Sequence, residues 1–158
     1  PDLLREKALD KQKENSRFFK GLGKNPPRNL DVTVKRIHNE VFSYIDCLDC
    51  ANCCRSISPF LRDRDIDRIS ASLGMKPSVF TETYLELDAD EDYVFRETPC
   101  PFLQSDNHCS VYKDRPGACR EYPHTDRKNF HQVFRLTLKN AQICPAVHEI
   151  IERLKAFY

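Results

Sequence analysis

Apolar and polar positions along this chain repeat with two periods, and the periods predict its elements. Residues 2–20 place Leu4, Ala8 and Phe18 at helical spacing among Lys, Glu and Asp. The stripe is thin, so the segment reads as a solvated helix with a few anchors, an arm across the domain or a face for a partner. GLGKNPPRN, residues 21–29, breaks it as a linker by its Gly and Pro content. Val34, Ile37, Val41, Tyr44 and Ile45 then recur at helical spacing behind Asp31, a suitable N-cap, and predict a core-facing helix that ends just before Cys47. Ile66, Ile69 and Leu73 form the next stripe, capped by Asp63 or Asp65 and stopped by Gly74. Pro77 opens a short helix containing Val79, Phe80, Tyr84 and Leu85.

The second period is two. DYVFRE, residues 92–97, predicts a strand, paired with HCSVY, residues 108–112, across the polar turn QSDN. VFRLTLK, residues 133–139, alternates Val133, Arg135 and Thr137 against Phe134, Leu136 and Leu138 and reads as a strand. DRPGACREYP, residues 114–123, is a turn or short helix. The clearest helix opens at Pro145 and carries Val147, Ile150, Ile151, Leu154 and Phe157 on one face. The fold class expected is α+β, mostly helical, small and compact, with one or two short β-hairpin strands. Residues 1–30 form a helical arm and linker, and residues 31–158 the domain proper.

Bulk properties narrow the function classes. The 158 residues suit one domain, 40% are hydrophobic, and the net charge of +1 gives no long-range pull toward nucleic acid or an anionic membrane. No run of 18 apolar residues is present, and PDLLREKALD lacks the basic-then-apolar order of a signal segment. The expected location is cytoplasmic, with no membrane and no nucleic-acid partner. The four glycines, Gly21, Gly23, Gly74 and Gly117, make no nucleotide-binding loop.

Eight cysteines change the picture: Cys47, Cys50, Cys53, Cys54, Cys100, Cys109, Cys119 and Cys144. Reducing compartments keep thiols free, so metal ligation is the leading reading, ahead of a disulfide framework, a thiol relay or buried free cysteines. Four fall in eight residues as C-x2-C-x2-C-C. An x2 spacing lets two thiolates converge on one ion. Adjacent Cys53 and Cys54 reach the same mononuclear ion only with strain, so they are expected to serve different metal atoms, in two centres or one polynuclear centre. The C-x2-C-x2-C run, with Cys100-Pro101 and Cys144-Pro145 downstream, has an iron–sulfur look, while thiolates suit zinc equally. The domain is therefore expected to be metal-stapled, with zinc, iron or an iron–sulfur cluster as its cofactor.

The order of motifs is also familiar. Cys47-x2-Cys50-x2-Cys53-Cys54, then CPFL at residues 100–103, CSVY at 109–112 and RPGACREYP at 115–123, with CPAV at 144–147 continuing the series, resembles the CxxCxxCC family of zinc- or iron-chelating domains. The resemblance implies metal chelation by these cysteines. It also implies a distant relation to the cysteine-rich region of flagellin lysine N-methylases, and so an enzyme acting on a protein side chain as one alternative.

Around the cysteines, Arg120 and Arg115 are placed to offset thiolate charge or to donate to sulfur, with ion pairs to Asp114 or Glu121 as the plainer role. Tyr112 and Tyr122 are placed to pack over the cluster or to enter the core. His108 and His124 are candidate substitutes for a thiolate. LDADED, residues 87–92, reads as a solvated turn. No catalytic residue is assigned. Three function classes follow: a chemically active metal module, a structural metal-stapled domain that binds a protein partner, and a side-chain-modifying enzyme.

Overall fold

The computed structural model describes residues 2–158, with side chains from residue 5 onward, so Leu4 of the first expected stripe lies outside the described side chains. The helices are α1 (Asp2–Asp10), α2 (Gln12–Lys24), α3 (Leu30–Phe42), α4 (Cys47–Cys50), α5 (Asn52–Ser56), α6 (Asp63–Ser72), α7 (Pro77–Tyr84), α8 (Gly117–Glu121), α9 (Phe134–Asn140) and α10 (Pro145–Phe157). The strands are β1 (Phe60–Leu61), β2 (Leu85–Leu87) and β3 (Tyr93–Phe95), and short 3-10 turns lie at Tyr112–Asp114 and Phe130–Val133. The chain is thus mostly helical α+β with one small antiparallel sheet, as its patterning implies. Its contacts group into two units: residues 1–46 with 123–158, and the uninterrupted Cys47–Tyr122.

The first unit is helical. The apolar stripes of α3 and α10 bury Leu30, Val34, Ile37 and Val41 with Ala146, Val147, Ile150, Ile151 and Leu154. Phe19 of α2 joins this core, its ring 4.5 Å from that of Phe134 and 6.4 Å from that of Phe130. Helix α2 runs through Gly21 and Gly23 to Lys24, so the break expected at Gly21 comes at Asn25. Tyr44 and Phe157, expected inside, are 58% and 50% exposed. Tyr44 lies beyond the end of α3, where its hydroxyl takes a hydrogen bond from Arg153 at 3.0 Å.

Residues 133–139 correct the strand expectation: the segment is helix α9. The apparent alternation hid a helical stripe, because Val133, Thr137 and Ala141, four residues apart, are all buried. The Thr137 hydroxyl donates back to the Val133 carbonyl at 2.9 Å, which satisfies its buried oxygen inside a helix.

Asp31 is not the cap of its own helix, whose N-cap is Asn29. Its carboxylate instead accepts from the Asn129 and Phe130 amides at 2.7 and 3.0 Å, capping the 3-10 turn at Phe130–Val133. Asn129 holds a left-handed φ of 56°, which Asn tolerates better than most residues. Asp31→Ala removes both acceptors and is expected to cost about 1–2 kcal/mol, read as a lower thermal midpoint. An unchanged midpoint would show that the cap is dispensable.

The second unit has its own core of Leu61, Ile66, Ile69, Phe80, Leu85, Phe95, Phe102 and Val111. Its sheet order is β1-β3-β2, with Phe60 opposite Val94 and Leu85 opposite Phe95. Strand β3 therefore pairs with β1 and β2, not with residues 108–112. That segment makes a single bridge, Cys109 to Leu103, before entering its 3-10 turn. LDADED closes the β2–β3 hairpin as the solvated turn expected, with the Asp88 carboxylate accepting from the Asp90 and Asp92 amides at 2.9 and 3.0 Å. No described helix is long and apolar enough to cross a membrane.

Candidate metal centre

C-x2-C-x2-C-C was expected to lie in a loop leaving a helix. It occupies two short helices instead, α4 carrying Cys47 and Cys50 and α5 carrying Cys53 and Cys54. Ala51 joins them in the left-handed conformation, φ 46°. Arg55 and Asn107 fasten this segment. Arg55 Nη1 donates to the Cys50 carbonyl at 2.7 Å, its Nη2 donates to Asn107 Oδ1, and Asn107 Nδ2 donates to the Leu48 carbonyl at 2.6 Å. Asn107 itself stands at φ 68° in the QSDN turn.

From this segment the backbone of Cys54 reaches the next cysteine, its carbonyl accepting the Cys100 amide at 2.8 Å. Cys100 opens a tight turn closed by the Leu103 amide on the Cys100 carbonyl at 3.0 Å. Cys109 opens a matching turn, closed by the Tyr112 amide on the Cys109 carbonyl at 3.1 Å. The two turns lie side by side through the Leu103–Cys109 bridge and the Ser110 amide on the Phe102 carbonyl, 2.9 Å. In each, a backbone N–H is aimed at sulfur: Phe102 and Leu103 at Cys100, Val111 at Cys109. N–H groups directed at a cysteine favour its thiolate, the form that binds metal.

Cys119 arrives on α8, and α6 holds the segment before it. Asp65, 3% exposed, accepts from the Arg62 amide at 3.1 Å, from Arg68 Nη2 at 2.7 Å and from the Gly117 amide at 3.1 Å. Burial alone would raise its pKa, and these donors outweigh burial and hold it below the usual carboxylate range. Arg62, not Asp63 or Asp65, is the N-cap of α6; Asp65 sits at the third helical position and reaches back to it.

Electrostatics identify which cysteines are neighbours. Burial pushes the Cys119 thiol up to about 12, with the charges of Cys100, Cys54 and Cys109 adding and Arg115 opposing. Burial pushes Cys100 up to about 11, with Cys109 and Cys54 adding. Cys109 is raised by burial and by Cys54. Cys54 moves the other way, to about 7, because the Cys53 thiol hydrogen-bonds its sulfur and outweighs burial, with Arg55 assisting. The charge of Cys54 thus bears on Cys100, Cys109 and Cys119, which come from three other chain segments. None of the eight cysteines is in a disulfide. Among the described residues no three His, Cys, Asp or Glu side chains are placed to hold an ion together.

The remaining expected site residues are distributed as follows. Cys144 belongs to the first unit, as the N-cap of α10 and packed against that unit's core. Arg120 donates to the Arg115 and Lys113 carbonyls at 3.2 and 2.6 Å. The guanidinium whose charge bears on Cys109 and Cys119 is Arg115, which lies 3.9 Å above the Tyr112 ring. Tyr112 is 58% exposed, not core, and Tyr122 is half-buried just past α8. His108 is exposed and faces Asp106 at 3.3 Å, and His124 lies in the first unit at φ 66°. A cleft of about 250 Å³ lined by Asp63, Asp67, Ser78, Thr81 and Tyr93, among others, contains no cysteine.

The donor set suits a soft or borderline cation. Four thiols fill the coordination of a zinc ion, of a single iron or of a cluster, and leave that ion no open position. At pH 7 the metal-free protein keeps its protons on Cys100, Cys109 and Cys119, while Cys54 is about half ionised. Ligation must release them, so affinity rises with pH, by roughly three to four log units per pH unit near pH 7. Titration calorimetry in buffers of different ionisation enthalpy reads this release directly. A value near zero would rule the thiols out as ligands.

Comparison with known proteins supplies a family. Residues 46–145 match the model of the CxxCxxCC family, described as "Putative zinc- or iron-chelating domain". No curated protein and no solved structure matches the chain. The matched span contains every one of the eight cysteines and more than half of the chain, and the protein belongs to the CxxCxxCC family of zinc- or iron-chelating domains.

Proposed function

We propose that this protein binds a zinc or iron centre through Cys54, Cys100, Cys109 and Cys119, and that the metal staples the Cys47–Tyr122 unit. The observation that carries the reading is the backbone linkage of α5 to the two cysteine-led turns, Cys54 to Cys100 and Leu103 to Cys109, with the charge of Cys54 bearing on Cys100, Cys109 and Cys119. Amides aimed at Cys100 and Cys109 and the charges of Arg55 and Arg115 all favour the thiolate form. These residues hold and orient the sulfurs, and a bound ion would supply the positive charge that lets four thiolates share one space. Free thiols in this number fit a reducing compartment, and the cytoplasm is the location we assign.

Cys47, Cys50, Cys53 and Cys144 are the other four thiols. The stoichiometry decides their part. The test is elemental analysis with an ultraviolet–visible spectrum on protein purified without oxygen. One zinc per chain and no colour supports a structural staple at the four-thiol set, and two assign ligands among the remaining thiols as well. Iron with acid-labile sulfide and visible absorption supports a redox cluster. Protein that purifies, and stays, free of both metals after reconstitution overturns the reading.

A further inference from the structure

Residues 112–117, which deliver Cys119, run from the 3-10 turn at Tyr112–Asp114 to the start of α8, and the carbonyls of residues 112–116 all accept hydrogen bonds. Arg115 Nη1 donates to the Tyr112 carbonyl at 2.7 Å and Arg120 Nη2 to the Lys113 carbonyl at 2.6 Å. Arg68 Nε donates to the Asp114 carbonyl at 3.2 Å, and Arg68 Nη2 to the Arg115 carbonyl at 2.9 Å. The Pro116 carbonyl accepts the Cys119 and Arg120 amides at 3.0 and 3.1 Å, and the Gly117 amide goes to Asp65. Of these donors, Arg115 lies within the segment and Arg120 just beyond it. Asp65 and Arg68, one turn apart on α6 and joined to each other at 2.7 Å, hold the segment from a distant part of the chain.

That layout has a chemical logic. Arg68 is a planar fork that holds one carboxylate and two successive carbonyls at once, which a point charge such as Lys does not reproduce. Asp65 is buried, so it is fixed in place and presents one oxygen to the Gly117 amide, two residues before Cys119. Helix α6 is in turn seated by Ile66 and Ile69 in the core. A rigid, core-mounted helix therefore sets where the Cys119 segment sits relative to the other three sulfurs.

We propose that Asp65 and Arg68 are positioning residues for the metal set, holding the 114–117 backbone so that the Cys119 sulfur meets the ion. This rests on the metal-binding reading above. Partners that orient a metal ligand affect affinity by about 10- to 100-fold when removed.

The test uses cobalt(II) as the probe in the full chain, with Asp65→Asn, Arg68→Lys and Cys119→Ser compared with the unaltered protein. Affinity is read by competition with a chromophoric chelator, and the ligand set by the visible bands of bound cobalt(II). The expected result is about 10- to 100-fold weaker binding for Asp65→Asn and Arg68→Lys, with bands shifted toward those of Cys119→Ser. Arg68→Lys keeps the cation beside Asp65 and tests the point if Asp65→Asn does not fold. Lower thermal stability with unchanged affinity and unchanged bands in Arg68→Lys would overturn the proposal and leave the pair a purely structural one. Absence of four-sulfur bands in the unaltered protein would overturn the metal-binding reading itself, a distinguishable failure.

Discussion

Cys54→Ser is expected to lower metal affinity at the four-thiol set roughly 100- to 1,000-fold, while Cys53→Ser leaves that ion in place. The magnitude follows from a structural site's apparent binding energy of about 10–16 kcal/mol shared among four ligands, so one lost thiolate is worth ~3–4 kcal/mol. The asymmetry follows from the neighbours. Cys54 acts on Cys100, Cys109 and Cys119, and its backbone bonds that of Cys100. Cys53 touches the set through the hydrogen bond it gives to the Cys54 sulfur. Metal content per chain for the two variants, with competition titrations, checks the difference. Equal and complete loss from both would point to a single shared polynuclear centre, and no loss from either would remove the four-thiol set from consideration.

Chelation is expected to cost the Cys47–Tyr122 unit more than any single truncation in its core. A buried Phe→Ala change, at Phe80 for instance, costs about 3–5 kcal/mol. A structural ion contributes about 10–16 kcal/mol. Phe102 and Val111, two of the eight buried apolar residues of this core, sit inside the cysteine-led turns themselves. Without the ion, loss of ligation loosens those turns, and the core loses the Phe102 ring and the Val111 side chain together. Hydrogen exchange before and after treatment with a strong chelator is the direct measurement. Amides in residues 98–122 should lose protection first and most. Unchanged protection there would mean that the ion is cargo and not a staple.

The parts of this fold that were legible in the sequence are those where one face decides the structure. Val34, Ile37 and Val41 on α3, Ile66 and Ile69 on α6, and Ile150, Ile151 and Leu154 on α10 are all buried as their spacing implies. The strand expected over residues 133–139 failed because Val133 and Thr137, four residues apart, share a face under either period, and so short a span does not separate the two. The hairpin at residues 108–112 failed for a different reason. The true partners of β3 are Phe60–Leu61 and Leu85–Leu87, both too short to show any period. Asp31 looked like a local cap because nothing in the sequence reveals that the Asn129 and Phe130 amides arrive beside it.

The chelating family was legible in the order of the cysteines, and their grouping was not. Cysteine positions alone do not say that Cys54 groups with Cys100, Cys109 and Cys119, because Cys100 and Cys109 each begin a turn containing no second cysteine. The Asp65–Arg68 pair was missed, though a signal existed. Asp65 stands beside Ile66 on the buried face of α6, and a carboxylate on a buried face needs partners. Its partner Arg68 lies one turn along, and the backbone both of them hold lies some fifty residues away.

The first unit's division between residues 1–46 and 123–158 bears on how the chain is made. Helix α3 leaves the ribosome with Val34, Ile37 and Val41 uncovered, and the helix that covers them, α10, begins about one hundred residues later. At the usual rate of synthesis, α3 waits roughly 5–20 s for that partner. The Cys47–Tyr122 unit is continuous and complete well before then. Ion capture by the proposed set of Cys54, Cys100, Cys109 and Cys119 can therefore precede closure of the helical core, once Tyr122 has cleared the ribosome and before α10 has formed.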